Sequence, residues 1–227
     1  RGRQGQHQTG HTLRRQRSQV RILSGAPIFL SIPVGVCQTS GMRNLTATIC
    51  LTLAMILGSA GFGYANDLWG ALKSGNHLVL IRHAYAPGYG DPDHFNVKDC
   101  KTQRNLNDEG RQQSKDIGNL FRSNGISRAV VQSSQWCRCL DTARLLNLGQ
   151  VSELTPLNSF FKNDEREQDQ TEKTKHWIQK APLKLPTVLV SHQVNITALT
   201  GYPPASGEMV FVRRLINGSI SVIGKIQ

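Results

Sequence analysis

The stretch Leu78-Val79-Leu80-Ile81-Arg82-His83 decides how the rest of the chain is read. Four consecutive apolar residues, too few for a helix and lacking polar alternation, predict a short strand buried on both faces, as in the interior of a parallel sheet. The run ends in Arg82 and His83 and passes into Ala84-Tyr85-Ala86-Pro87-Gly88. Open parallel sheets hold their ligands beyond the carboxyl ends of the strands, so this ending sets a potential nucleophile beside a permanent cation. The pairing suits phosphate chemistry.

Working outward, Asn107 is placed to cap a helix with Asp108 and Glu109 in its first turn and Ile117, Leu120 and Phe121 on one face, ended by Asn124-Gly125. Ala129-Val130-Val131 predicts a second strand. Ser134 then offers a cap to a helix carrying Trp136, Leu140, Ala143 and Leu146 at helical spacing. Val151 to Leu154 suits a further short strand, and the polar stretch Lys162 to Gln170 suits an exposed loop or helix start. A helix with Trp177 and Ile178 turned inward runs to Lys180, and Pro182 and Pro186 frame a linker. Thr187 to Ser191 is a strong strand that delivers His192, and a short helix through Ile196 and Leu199 stops at Gly201. Met209–Val212 and Ile220–Ile223 read as a closing hairpin or two edge strands around Asn217-Gly218. Alternating strands and helices predict an α/β protein, a three-layer α/β/α sandwich with a mostly parallel central sheet.

The 227 residues do not all suit one fold. Residues 1–41 hold six arginines, no acid, no lysine and no sustained hydrophobic period, and read as a non-native or disordered leader. From Met42, a charged start, the apolar stretch Ala47 to Leu57 and the small residues before Asn66 have the form of a secretory signal cleaved after Ala65. A buried helix or an uncleaved anchor are the alternatives, although the unbroken apolar part is shorter than the roughly 20 residues of a membrane span. The expected domain is therefore 66–227, periplasmic or secreted, with no membrane contact after cleavage. The formal charge of +12 resides mostly upstream: removing the seven arginines of residues 1–65 from the 27 basic residues leaves 20 against 15 acidic, a net +5. A mild positive charge suits phosphorylated small molecules, and with no basic run interleaved with aromatics the chain is not expected to bind nucleic acid specifically.

Three of the five cysteines, Cys100, Cys137 and Cys139, fall in that domain. Export lets disulfides persist; Cys100 can join Cys137 or Cys139, or all three can be buried thiols. No histidine stands at a ligand-like interval from them, so neither zinc nor any other metal or cofactor is expected. Asp91, Asp93 and His94 lie in a Gly- and Pro-containing loop, where turns and the mouth of a pocket are a better reading than a metal cluster.

In a parallel sheet the carboxyl ends of strands share one edge, so Arg82, His83, Arg138 and His192 can converge from distant parts of the sequence. Guanidinium groups match the oxygens of a phosphoryl group with forked, permanently charged donors. An imidazole attacks phosphorus only through an unprotonated nitrogen, which requires the other nitrogen of His83 to be held, for instance by a carbonyl of the following loop.

These residues resemble the histidine phosphatase superfamily, which includes the phosphoglycerate mutases and acid phosphatases. Its Arg-His-Gly is similar to Arg82-His83-Ala84, its Leu-Thr-x-x-Gly-x-x-Gln to Leu106 through Gln113, its Ser-x-x-x-Arg-x-x-x-Thr-Ala to Ser134 through Ala143, and its late His-Gly to His192-Gln193. The resemblance implies a phosphoglycerate mutase-like fold and a metal-independent hydrolase in which His83 is phosphorylated and Arg82, Arg138 and His192 surround the phosphate. The substrate would be a phosphorylated small molecule or a phosphohistidine. Two departures stand out: Ala84 replaces glycine, and Leu157-Asn158-Ser159-Phe160-Phe161 lacks the acid that usually protonates the leaving group. Asp164 and Glu165 are the nearest substitutes, although a solvated charge run is the better reading of them. A weak donor favours substrates that leave easily. It also leaves room for a phospho-ligand binding or signalling protein without turnover, and a phosphomutase is a third reading.

Overall fold

The computed structural model describes residues 60–216 and 218–227. The expected leader, most of the expected signal and Asn217 of the last turn lie outside the described residues. Helix α1 (Ala60–Ser74) runs across the expected cleavage point, and beyond that point it buries Leu68, Trp69 and Leu72.

A six-stranded sheet forms the middle layer, built from β1 (His77–Arg82), β2 (Val130–Ser133), β3 (Val151–Glu153), β4 (Thr187–Ser191), β5 (Met209–Arg214) and β6 (Ile220–Ile226) in the order β3-β2-β4-β1-β5-β6. The first four are mutually parallel; β5 runs antiparallel to β1, and β6 antiparallel to β5. The last two strands form the expected hairpin, but β5 is an interior strand and only β6 is an edge. Its sequence carries the reason: Met209-Val210-Phe211-Val212 is continuously apolar and buried, as a strand covered on both faces must be.

Alternation along β1 sorts the two cores. Val79 and Ile81 face a cluster with Trp69 and Leu72 of α1, Phe121 of α2 (Asp108–Ser123) and Ala143 of α3 (Cys137–Leu145). Leu78 and Leu80 face the other side, where Ile178 of α4 (Glu167–Lys180) and Ile196 and Leu199 of α5 (Gln193–Thr200) close the third layer. Each such fully buried side chain stabilises the fold by about 1.5–3 kcal/mol. Trp177 is only partly buried against that second cluster. Trp69 meets Phe121 and Phe211 edge-on at 5.0 and 5.2 Å, locking α1 to α2 and β5.

Register fixes what happens at the carboxyl edge. Arg82 of β1 pairs with Ser191 of β4, and Ser133 of β2 pairs with Val190. The next residue of each strand is then held in line: His83 N donates to Ser191 O at 2.9 Å and Ser134 N to Val190 O at 2.9 Å. Three strands thus deliver His83, Ser134 and His192 side by side.

Candidate active site

Beyond that edge lies a cavity of about 290 Å³ whose walls include Arg82, His83, Arg138 and His192. The four residues singled out in the sequence are therefore brought together, with the two imidazole rings 5.5 Å apart.

His83 is buried, and its Nδ1 lies 2.8 Å from Ala84 O. A carbonyl only accepts, so Nδ1 carries the proton and the lone pair is left on Nε2. Ala84 is itself pinned, since its N–H donates to Thr142 Oγ1 at 3.0 Å while that hydroxyl donates to Arg138 O at 2.7 Å. Burial first, and then the positive charges of Arg138, Arg104 and Arg82, hold the His83 pKa well below its ordinary value against the opposing pull of the Ala84 carbonyl. The ring is an unprotonated base at neutral pH. His192 is displaced the same way by burial, Arg138 and His83, and its Nε2 lies 2.9 Å from Ser134 Oγ. Cys139 Sγ, 3.4 Å from the same nitrogen, has its pKa pushed up to about 12 by burial and is an inert thiol.

The guanidinium groups are positioned from behind. Arg82 Nη1 donates to Pro204 O at 2.9 Å. Arg138, only 3% exposed, grips Asp91 through Nη1 (2.7 Å) and Nη2 (3.1 Å). Asp91 also accepts from Trp136 Nε1 at 3.0 Å and Arg104 N at 3.1 Å. Burial pushes the Asp91 carboxyl up, but the Arg138 hydrogen bonds and charge outweigh that and keep its pKa below the usual carboxylate value. A third guanidinium, Arg104, lines the cavity, held by Ala86 O and by Gly90 O, the latter at 2.9 Å. Two donors are left over: the Nε–H groups of Arg82 and Arg138 are buried without a partner. An unpaired buried donor costs on the order of 1–3 kcal/mol, and such a pair beside a neutral imidazole is chemically suited to meet an oxyanion.

The segment Leu106 through Gln113 is explained by contacts. Asn107 caps α2 by accepting from Gly110 N at 2.9 Å. Gly110 passes so close to the loop after His83 that a Cβ there would lie 1.9 Å from Tyr85 O. Gln113 Oε1 accepts from Tyr85 N (2.9 Å) while its Nε2 donates to Ser206 O (2.8 Å), joining the loops that carry His83 and close over Arg82. On the other side the Cys100–Cys137 disulfide ties the segment before Arg104 to the first residue of α3, directly before Arg138; Cys139 is the thiol left free.

Two expectations are corrected and one open choice is decided. Ser134 is not the cap of α3; its cap position is Trp136 without a side-chain bond, and the Ser134 hydroxyl, which accepts from Trp136 N at 3.3 Å, also holds His192. Asp91 does more than shape a turn, since it orients Arg138, whereas Asp93 and His94 remain exposed. Asp164 and Glu165 sit on an exposed 3₁₀ turn (Asp164–Arg166) outside the cavity wall. Sequence reasoning missed Arg104 and the roles of Ser134, Asp91 and Gln113; the Gln-Arg-Asn-Leu run before the α2 cap was the one available signal for Arg104.

No family model matches the sequence, and no curated protein matches it. Solved structures do resemble it. The product of an open reading frame of Mycobacterium tuberculosis shares 17% identity over 64% of this chain and 94% of its own, with a TM-score of 0.48. A mycobacterial glucosyl-3-phosphoglycerate phosphatase shares 16% over 60% and 92%, at 0.45. The protein histidine phosphatase SixA, complexed with tungstate, shares 16% over 66% and 96%, at 0.42. The likeness lies in the fold. The roles of individual residues rest on this chain's own geometry.

Proposed function

We propose that this chain is an exported, metal-independent phosphatase that cleaves a phosphomonoester or phosphoamide through a phosphohistidine on His83. The observation that carries the reading is the pair of buried, unpartnered guanidinium Nε–H groups beside an imidazole whose Nε2 lone pair is free. In the first step Nε2 forms a bond to phosphorus, and the P–O or P–N bond breaks with its electron pair leaving on the departing atom. Arg82, Arg138 and Arg104 match the charge spread over the phosphoryl oxygens, and His192 donates to one of them. Water then attacks phosphorus, the N–P pair returns to Nε2, and the water's proton leaves with phosphate or solvent. The Cys100–Cys137 disulfide supports the export part of the reading, because such bonds persist outside reducing compartments.

Acid quench during turnover of a ³²P-labelled phosphoester is expected to trap label on His83, and His83→Ala to abolish both labelling and phosphate release. A His83→Ala protein that still turned over would end the mechanism. One observation favours a second reading, a phospho-ligand binding protein without turnover: among the described residues, no carboxylate lines the cavity to protonate a leaving group. Tight phosphate binding with no release from any ester would select it.

A further inference from the structure

We infer that the mouth of the cavity is a subsite for a neutral, planar aromatic ring attached to the phosphoryl group, so that the substrates are monophosphates with an aryl or heteroaryl leaving group. The inference deepens the phosphatase reading and rests on its phosphate site.

The first ground is the rim. Tyr89 is 83% exposed, far more than a tyrosine with only a structural role needs, and its ring stands edge-on to Phe161 at 5.1 Å. Both rings line the cavity, together with Tyr85 and Val194. Tyr89 is not a loose loop tip. It lies between Gly88 and Gly90, whose φ angles of 96° and 67° make the bend. Arg104 Nε clamps Gly90 O, and the next residue, Asp91, is itself anchored by four hydrogen bonds. An exposed aromatic ring on a well-anchored loop at the edge of the pocket is placed to meet another ring.

The second ground is charge. Three guanidinium groups stand against one carboxylate around two neutral imidazoles, an excess of two positive charges. One phosphomonoester dianion cancels it, and a second anionic group on the substrate would find no buried partner. Lys162, beside Phe161, is exposed, and its charge is screened by solvent.

The third ground is the leaving group. With no acid in the wall among the described residues, the P–O electron pair departs on an oxygen that must bear the charge until solvent protonates it. A phenol, with a pKa of about 10, does so readily. An alkanol, whose pKa is far higher and close to that of water, does not.

Phenylphosphonate and methylphosphonate carry the same anion and cannot be hydrolysed, which separates the ring from turnover. Calorimetry at a pH where both are dianions is expected to show phenylphosphonate binding about tenfold more tightly, a preference within reach of one aromatic contact plus the apolar surface it buries. Tyr89→Ala and Phe161→Ala should each cut the preference several-fold and leave methylphosphonate affinity unchanged. Equal affinity of the two ligands for the native protein, or a preference that survives in both variants, overturns the inference. Failure of both phosphonates to bind would instead remove the phosphate site itself. Normal binding without hydrolysis of phenyl phosphate would remove only the enzymatic reading.

Discussion

Arg138 and Arg214 belong to opposite ends of one sheet, and the way each is bonded separates work from scaffolding. Arg214, at the level where β1 begins, turns its fork into the fold: Nη1 donates to the carbonyls of Ile178 (2.9 Å), Gln179 (3.1 Å) and Ala181 (2.6 Å) at the end of α4, and Nη2 to Asn76 Oδ1 (2.7 Å). It supplies a cation and donors where a helix exposes unpaired carbonyls. Arg138, at the carboxyl edge, is held on one side by Asp91 and keeps a buried donor unbonded on the other. The first has all its value inside the folded chain. The second leaves a buried donor for which the folded chain supplies no acceptor, and that difference is what the proposed phosphate role of Arg138 would use.

The contrast can be broken most severely at Arg138. Arg138→Lys keeps the charge but removes the planar fork, and kcat/KM for a phosphoester is expected to fall roughly 10²- to 10³-fold; a loss below tenfold would mean that the fork does not hold the transition state. Arg214→Ala should do the reverse. Chemical denaturation is expected to show a loss of about 1–3 kcal/mol, with kcat/KM within about twofold of native, and a large activity loss at unchanged stability would erase the distinction drawn above.

The smallest effect sharpens the comparison through pH. Because burial and three arginines depress the His83 pKa, its protonation demands more acid than a free imidazole, whose pKa is about 6.5. The acid limb of the kcat/KM profile therefore lies below that value, and the rate should change less than about twofold between pH 7.5 and 6.5. Stability follows with a definite sign. Below 6.5 the unfolded chain takes up protons at His83 and His192 that the folded chain refuses, so stability declines on acidification toward the folded pKa. A profile whose acid limb sat at or above 6.5 would contradict the buried, cation-flanked geometry.

Much of the fold could be read from the sequence because β1 and β4 are apolar on both faces and each ends in a histidine. That pattern led to the parallel core, and Arg82, His83, Arg138 and His192 followed from the rule that strand ends share an edge. The harder part lay between Ala86 and Leu106. Nothing periodic runs through that stretch, and the path that carries Asp91 back to Arg138 is set by positive φ at Gly88 and Gly90 and by hydrogen bonds to Trp136 and Arg104, contacts 13 to 47 residues apart. Ser134 was misread for a related reason: its hydroxyl had two uses, a local cap and a long-range bond to His192, and only the folded arrangement shows the second. For β5 the sequence left a closing hairpin or two edge strands open, and its unbroken apolar run is the feature that argues for an interior strand.

Gly110 gives the site an unforgiving tolerance. The helix that opens at Asn107 lies against the peptide of Tyr85 with room for a hydrogen and not for a methyl. Any other amino acid at that position would shove the backbone two residues downstream of His83 away from α2. In a saturation library scored for turnover, this column should go dark from end to end, while neighbouring exposed columns such as 109 and 111 accept a broad palette. The reactive ring's alignment is thus guarded by an empty place in the chain, one that natural drift cannot fill without dislodging it.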